Sequence, residues 1–408
     1  MKYDGIVVGG GPAGMFAALI AAQQGSRVLL LEKNDQLGRK LLITGKGRCN
    51  VTNACSAGDV LQNVPRNGRF LYSAMNAFPP QSIMDLLESY GCELKIERGN
   101  RVFPVSDRAV TVRDCLKNAM VDAGVDVQKG IVKDILVSDG RLSGVKLIDK
   151  SISANWVILA TGGLSYPTTG STGDGFRIAS RHGHTVTPTE GSLVPLESTN
   201  PDCGEMQGLS LRNVGIRITN EKGKVVYKDF GELLFTHFGV SGPTVLSASA
   251  HIKDYPAKLE IDLKPAMDVS KLDVRLLRDL DQYKNRTMEN ALVDILPRSM
   301  IPVILKRASI PADMQANSLK KEQRKNLVDL MKAFPIVISG KRPVAEAIIT
   351  SGGIKISEID PKTMESKIVS GLYFAGEIID CDAYTGGFNL QIALATAYAA
   401  GMAVKNHH

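Results

Sequence analysis

Asp4-Gly5-Ile6-Val7-Val8-Gly9-Gly10-Gly11-Pro12-Ala13-Gly14, followed by the apolar run Met15 to Gln24 and by Arg27-Val28-Leu29-Leu30-Leu31-Glu32, is the stretch that decides the fold. Its order is a short apolar strand, a glycine turn, a helix apolar on nearly every face and a second strand. That order within about thirty residues is a βαβ unit of a parallel sheet. In Gly9-x-Gly11-x-x-Gly14 the first glycine permits the turn and the second admits a pyrophosphate to the backbone. The third brings helix and strand close together, and the helix start supplies partial positive charge. Glu32, eighteen residues after Gly14, ends the second strand, where a carboxylate accepts hydrogen bonds from a ribose diol. The competing reading, a glycine turn that only packs, does not account for Glu32. A carboxylate there opposes a 2′-phosphate and so disfavours NADP, but it leaves NAD and FAD both open.

Outward from this unit, helices are expected near Gln81 to Tyr90 and Asp107 to Ala123, and strands at Val125 to Ile135 and Trp156 to Ala160. From about Gly191 short strands with turn signals take over, such as Val214 to Thr219 and Lys224 to Tyr227, and read as antiparallel sheet. A helix-rich, charge-rich stretch follows Leu263, and the α/β texture returns in Gly371 to Glu377 and the closing helix Asn389 to Val404. The expected architecture is α/β: a Rossmann-type domain split in sequence (1–190 and 350–408), with an inserted β-rich substrate domain (191–265 and 334–349) and a small helical subdomain (266–333). The insertion is expected to cover the cofactor and supply most of the substrate pocket.

Two further segments choose between the dinucleotides. Gly38-Arg39-Lys40-Leu41-Leu42-Ile43-Thr44-Gly45-Lys46-Gly47-Arg48-Cys49-Asn50 follows the ribose-binding strand and holds four basic residues and three glycines. Such a loop can wrap a pyrophosphate with N–H groups and charge-assisted donors, or can be a solvated basic loop. Far downstream, Gly376-Glu377-Ile378-Ile379-Asp380 and Gly386-Gly387-Phe388-Asn389-Leu390-Gln391 place a Gly-Glu strand end before a helix start. That pair would set an acceptor near ribityl hydroxyls and aim N–H groups at the N1/O2 edge of a flavin. An NAD-only protein has no need of this second device, so the expected cofactor is non-covalent FAD.

The glycine- and lysine-rich loop, Ala160-Thr161-Gly162-Gly163-x-Ser165-Tyr166-Pro167, Phe235-Thr236-His237-x-Gly239-x-Ser241-Gly242-Pro243 and the C-terminal Gly-Glu…Gly-Gly-Phe-Asn-Leu-Gln together resemble a bacterial flavoprotein family. It is commonly labelled NAD(P)/FAD-dependent oxidoreductase, and its members include aminoacetone oxidase and a bile-acid 3-dehydro-4,6-reductase. The resemblance spans essentially the whole chain. It implies FAD contacts at Ala13, Gly14, Glu32, Arg39, Lys40, Gly45, Asn50, Val132, Glu377, Asn389 and Ile392. With the motif positions Gly9, Gly11, Lys33, Thr161, Gly162, Gly376, Asp380, Gly387, Phe388 and Leu390 these form the candidate cofactor set. The chain departs from the family at Ala393 and Leu394, where an aromatic is common.

Catalytic candidates are fewer. His237, beside a Ser-Gly-Pro turn, and Tyr384, just before Gly386-Gly387, are each a proton donor or a structural side chain; Tyr166 reads as structural. Cys49 and Cys55 have five residues between them, not the four of a flavoprotein dithiol pair, and none of the six cysteines forms a CxxC or a zinc-spaced cluster. Metal and disulfides are not expected. No run of eighteen apolar residues occurs and nothing at the N-terminus resembles a signal peptide, so no membrane partner and a cytoplasmic location are expected. The terminal His407-His408 is given no chemical role.

The chemistry expected is hydride transfer between a small organic substrate and flavin N5. One form is an NAD(P)H-dependent reductase of a C=C bond in a 3-oxo-4-ene steroid or bile acid, and another is an amine oxidase that returns electrons to O₂. With one dinucleotide fingerprint in the chain, NAD(P)H is expected to bind transiently. A third form is a flavin-dependent RNA-modifying protein, suggested by a formal charge of +7, a pI near 9.0 and the cluster Lys320, Lys321, Arg324 and Lys325. A solvated helix face is the preferred reading of that cluster, so nucleic acid is not the expected partner. Oligomeric state is left open.

Overall fold

The structure is a computed structural model that describes residues 3 to 404; His407 and His408 lie outside the described residues. The chain divides into two compact units, one running up to Ser192 and resuming at Val344, the other spanning Leu193 to Pro343.

The first unit is built on five parallel strands in the order Leu372–Phe374, Trp156–Leu159, Gly5–Val8, Val28–Glu32 and Asp126–Lys129. Its three central strands read as nearly unbroken apolar runs because both faces of a parallel sheet are covered. The helices Pro12–Gln23 and Phe388–Ala403 pack together and are buried along most of their length. A helix apolar all round is a core helix, and these two come from opposite ends of the chain. Small residues allow the approach: a Cβ on Gly401 would lie 2.8 Å from Ile20 Cβ and 2.9 Å from the Ala17 carbonyl oxygen. The α/β, Rossmann-type expectation therefore holds.

The strand expected over Val125 to Ile135 is two strands. Asp126–Lys129 closes the parallel sheet, the chain breaks at Gly130, whose N–H donates to the Glu32 carbonyl, and Asp134–Ser138 joins a separate antiparallel sheet. The break leaves Val132 at the edge of the sheet instead of inside a strand. In the second unit antiparallel strands close into a six-stranded barrel, and two of them, Ser210–Thr219 and Val225–Thr236, run longer than the stretches expected there. The helices between Val269 and Lys332 add Leu272, Leu276, Ile304 and Leu327 to the same buried cluster as Phe235, Ile261 and Phe334 from the barrel. The Arg342 N–H donates to the Pro195 carbonyl at 3.0 Å, so this unit begins and ends at one place. Among the described residues no helix is long and apolar enough to cross a membrane.

Candidate functional site

A long cleft in the first unit runs along the carboxyl ends of the parallel strands, the place where open α/β sheets bind ligands. The glycine turn and Ala13 form its floor. Glu32, Lys33, Asn34 and Val132 line one side, Arg39 and Lys40 the next, and Thr161, Gly162, Glu377, Asn389 and Leu390 the remainder. Residues 9 to 40 and 375 to 393, far apart in sequence, thus meet in one wall. Ala393 also faces this cleft, so the chain's departure from the aromatic expected there leaves a small side chain on the wall.

Glu32 accepts hydrogen bonds from Gly10 N–H at 2.6 Å, Asn34 N–H at 2.8 Å and the Asn34 carboxamide at 2.7 Å. A carboxylate has about four acceptor sites, so this geometry orients Glu32 and leaves capacity for a ribose hydroxyl. Lys33 points to the loop after Trp156–Leu159, with Nζ 2.6 Å from Thr172 Oγ1 and 2.5 Å from Asp174 Oδ2. Thr169, Gly170, Ser171 and Asp174 line the cleft beside it, a wall the sequence reading did not identify.

Lys40 and Glu377 form an ion pair at 2.6 Å, with side chains 19% and 11% exposed. Ser165 Oγ is 2.5 Å from Lys40 Nζ and 2.9 Å from Glu377 Oε1, and Thr350 N–H donates to the same carboxylate oxygen at 2.9 Å. Thr350 joins the site through a contact no local motif announces, and Ser165, a member of the Ala160–Pro167 motif, is brought between Lys40 and Glu377.

Several candidates lie behind the cleft. Gly14 packs against Gly9, Gly376 against Ala13, and Gly387 against the Thr52 backbone. Phe388 and Ile392 are core residues. Gly45 and Asn50 belong to the loop after the helix Arg39–Ile43. Asp380 pairs with Arg66 at 2.7 Å, and burial holds its neighbour Asp382 above the usual carboxylate range. Asn389 accepts from Ala383 N–H at 2.8 Å and donates to the Ala383 carbonyl at 2.7 Å, bracing the segment that carries Tyr384. His237 is exposed in the barrel unit, between Val225–Thr236 and Gly239–Ser241. Cys49 is fully buried, and burial pushes its thiol up to about 12, so it is no accessible thiolate.

The residues present fit FAD. A Cβ on Gly11 would meet nothing within 4 Å, which leaves the turn open to a pyrophosphate. The Thr161 hydroxyl, on the cleft wall, is buried without a hydrogen-bond partner among the described residues, as a group awaiting a ligand would be. Neither Pro12–Gln23 nor Phe388–Ala403 has a side-chain cap, so their first N–H groups remain for an anion and for a flavin edge. Glu32→Ala is expected to weaken FAD retention by about 1.5–3 kcal/mol, the scale of a hydrogen bond to a charged group. Flavin fluorescence titration measures this, and unchanged affinity would remove Glu32 from the ribose.

A family model described as HI0933-like protein Rossmann domain matches residues 3–403. The chain is 30% identical over 405 residues to a 3-dehydro-bile acid delta(4,6)-reductase of Clostridium scindens, covering 97% of this chain and 98% of that protein. It is 31% identical over 400 residues to a ribosomal RNA dihydrouridine synthase of Escherichia coli, covering 98% and 97%. Among solved structures, a 3-ketosteroid delta1-dehydrogenase from Sterolibacterium denitrificans superimposes with a TM-score of 0.52 at 13% identity, covering 98% of each chain. That likeness speaks to the fold alone.

Proposed function

The chain belongs to the HI0933-like Rossmann-domain family and is an FAD-dependent oxidoreductase; from that premise we propose that it reduces a C=C bond conjugated to a carbonyl, with a uracil ring in RNA as substrate. These relatives of Clostridium scindens and Escherichia coli bear names for different molecules but one operation. A delta(4,6)-reductase and a dihydrouridine synthase each add a hydride and a proton across a double bond next to a carbonyl-bearing system. When bound and reduced by NAD(P)H as a transient reductant, FAD would supply the hydride.

The chain's own residues hold and orient. Glu32 and the uncapped helix Pro12–Gln23 take the ribose and pyrophosphate end, while Lys40, Glu377 and the start of Phe388–Ala403 take the flavin end. Of the two proton-donor candidates, Tyr384 shares a unit with the cleft and sits on the segment Asn389 braces. Reduction needs that proton at the carbon next to the carbonyl, and Tyr384 is the first candidate to supply it.

Charge is the observation that carries the choice of RNA. The chain carries 49 Lys and Arg against 42 Asp and Glu, a formal surplus of +7 with a pI near 9.0, which suits a polyanionic substrate. A second reading, an enone of a bile acid, rests on the Clostridium scindens relative. Anaerobic protein given NAD(P)H and protein-free ribosomal RNA should bleach before RNA is added, then recolour with a gain of two hydrogens per modified uridine. Unreduced RNA together with a reduced 3-oxo-4-ene bile acid would give the function to the second reading.

A further inference from the structure

The segment Asp380–Gly387 leads into the C-terminal helix at the cleft, and it is flanked on both sides by arginine-bearing backbone. On one side Asn63 accepts from Tyr384 N–H at 3.0 Å, Asn67 donates to the Asp380 carbonyl at 2.7 Å, and Arg66 donates to Asp380 at 2.7 Å and to Ser351 at 2.8 Å. Ser351 lies two residues from Ile349 on one short strand, hence on the same face, and Ile349 lines the cleft. On the other side Asn53 donates both to the Gly386 carbonyl at 3.2 Å and to the Gly99 carbonyl at 3.0 Å, which ties the turn Arg98 to Arg101 to the glycine pair.

The charges of these flanks do not cancel. Glu97 is held by Arg48 and Asp380 by Arg66. Arg69, Arg98 and Arg101 are exposed and have no carboxylate partner among the described residues. Arg69 and Tyr72 stand three residues apart across the 3₁₀ turn Gly68–Leu71 and so share a side; Tyr72 is 64% exposed. Exposed arginines interleaved with an exposed aromatic suit a single-stranded polyanion carrying bases, since phosphates meet the guanidinium groups and a base stacks on the ring.

Resting on the reading of RNA as substrate, we propose that Arg69, Tyr72, Arg98 and Arg101 form the surface on which the RNA strand docks, beside the segment Asp380–Gly387 that bears Tyr384. Lys320, Lys321 and Lys325 in the other unit are then solvated charge, and their neighbour Arg324 is tied to Asp273 at 2.7 Å.

The test uses the FAD-loaded protein and a fluorescein-labelled oligouridylate, with affinity followed by anisotropy across a salt series. Removing three phosphate contacts in R69A/R98A/R101A should lower the slope of log affinity against log salt by roughly 2, because each single-strand contact contributes about 0.7. KM for ribosomal RNA should rise at least tenfold, while FAD content and thermal midpoint stay put. Arg→Lys at the same three positions should restore the slope. Tyr72→Ala should weaken affinity with the slope preserved, as loss of stacking does. A slope untouched in the triple Ala variant, or one lost instead in K320A/K321A/K325A, overturns the surface while the RNA reading stands. A wild-type protein that neither binds nor reduces RNA but reduces the enone overturns both.

Discussion

Gly14→Val should yield no soluble flavoprotein, whereas Gly11→Ala should yield a folded, colourless one. The two glycines lie three residues apart in one motif, yet they answer to different constraints. A Cβ on Gly14 would sit 1.8 Å from the carbonyl oxygen of Gly9, a backbone atom that cannot yield without unseating the first strand or the helix Pro12–Gln23. Clashes of this kind belong to the mechanisms that exceed about 4 kcal/mol, a large fraction of the roughly 5–15 kcal/mol that holds a domain folded. A Cβ on Gly11 meets nothing within 4 Å and the backbone there is extended, so the fold tolerates it. The added methyl projects where the pyrophosphate must approach, so the cost falls on binding. Far-UV circular dichroism and bound-flavin absorbance on both variants separate the cases. A well-folded Gly14→Val protein would show that the helix and strand are not in the close contact described.

Lys40→Met should destabilise the protein by about 3 kcal/mol, with most of the loss restored in Lys40→Met/Glu377→Gln. The ion pair is largely buried, and removal of one member leaves a carboxylate without its counter-charge, a situation that costs about 3–5 kcal/mol. The Ser165 hydroxyl and Thr350 N–H remain to solvate Glu377, which places the expectation at the lower end of that range. The neutral amide in the double variant no longer needs a cation. Urea unfolding with the linear extrapolation measures both. A double variant no more stable than the single one would mean that Lys40 contributes through packing of its methylene stem instead of its charge. Because the pair joins residues 337 apart, the single variant should also release FAD more readily than Glu32→Ala does.

Much of this was legible in the chain because periodicity and glycine placement are local signals. The run from Asp4 to Glu32 dictates strand, turn, helix and strand, since no other arrangement uses Gly9, Gly11, Gly14 and Glu32 together. The continuously apolar helices at the two ends are legible as core helices for the same reason. Where the reading over Val125 to Ile135 went astray, a β-rich composition ran across Gly130; the Gly130 N–H makes the last ladder bond to the Glu32 carbonyl, where the partner strand ends, and Val132 beyond it lines the cleft.

By itself the sequence determined the parallel α/β core, the dinucleotide turn and the carboxylate that ends the second strand, because each depends on residues within a few turns of one another. Only the tertiary structure decided which distant groups became partners. Lys40 meets Glu377, Lys33 meets Asp174, Arg66 meets Asp380, and the barrel closes. An ion pair needs a few ångströms of proximity and leaves no periodic trace in either segment, so nothing in the chain but its folding can announce it.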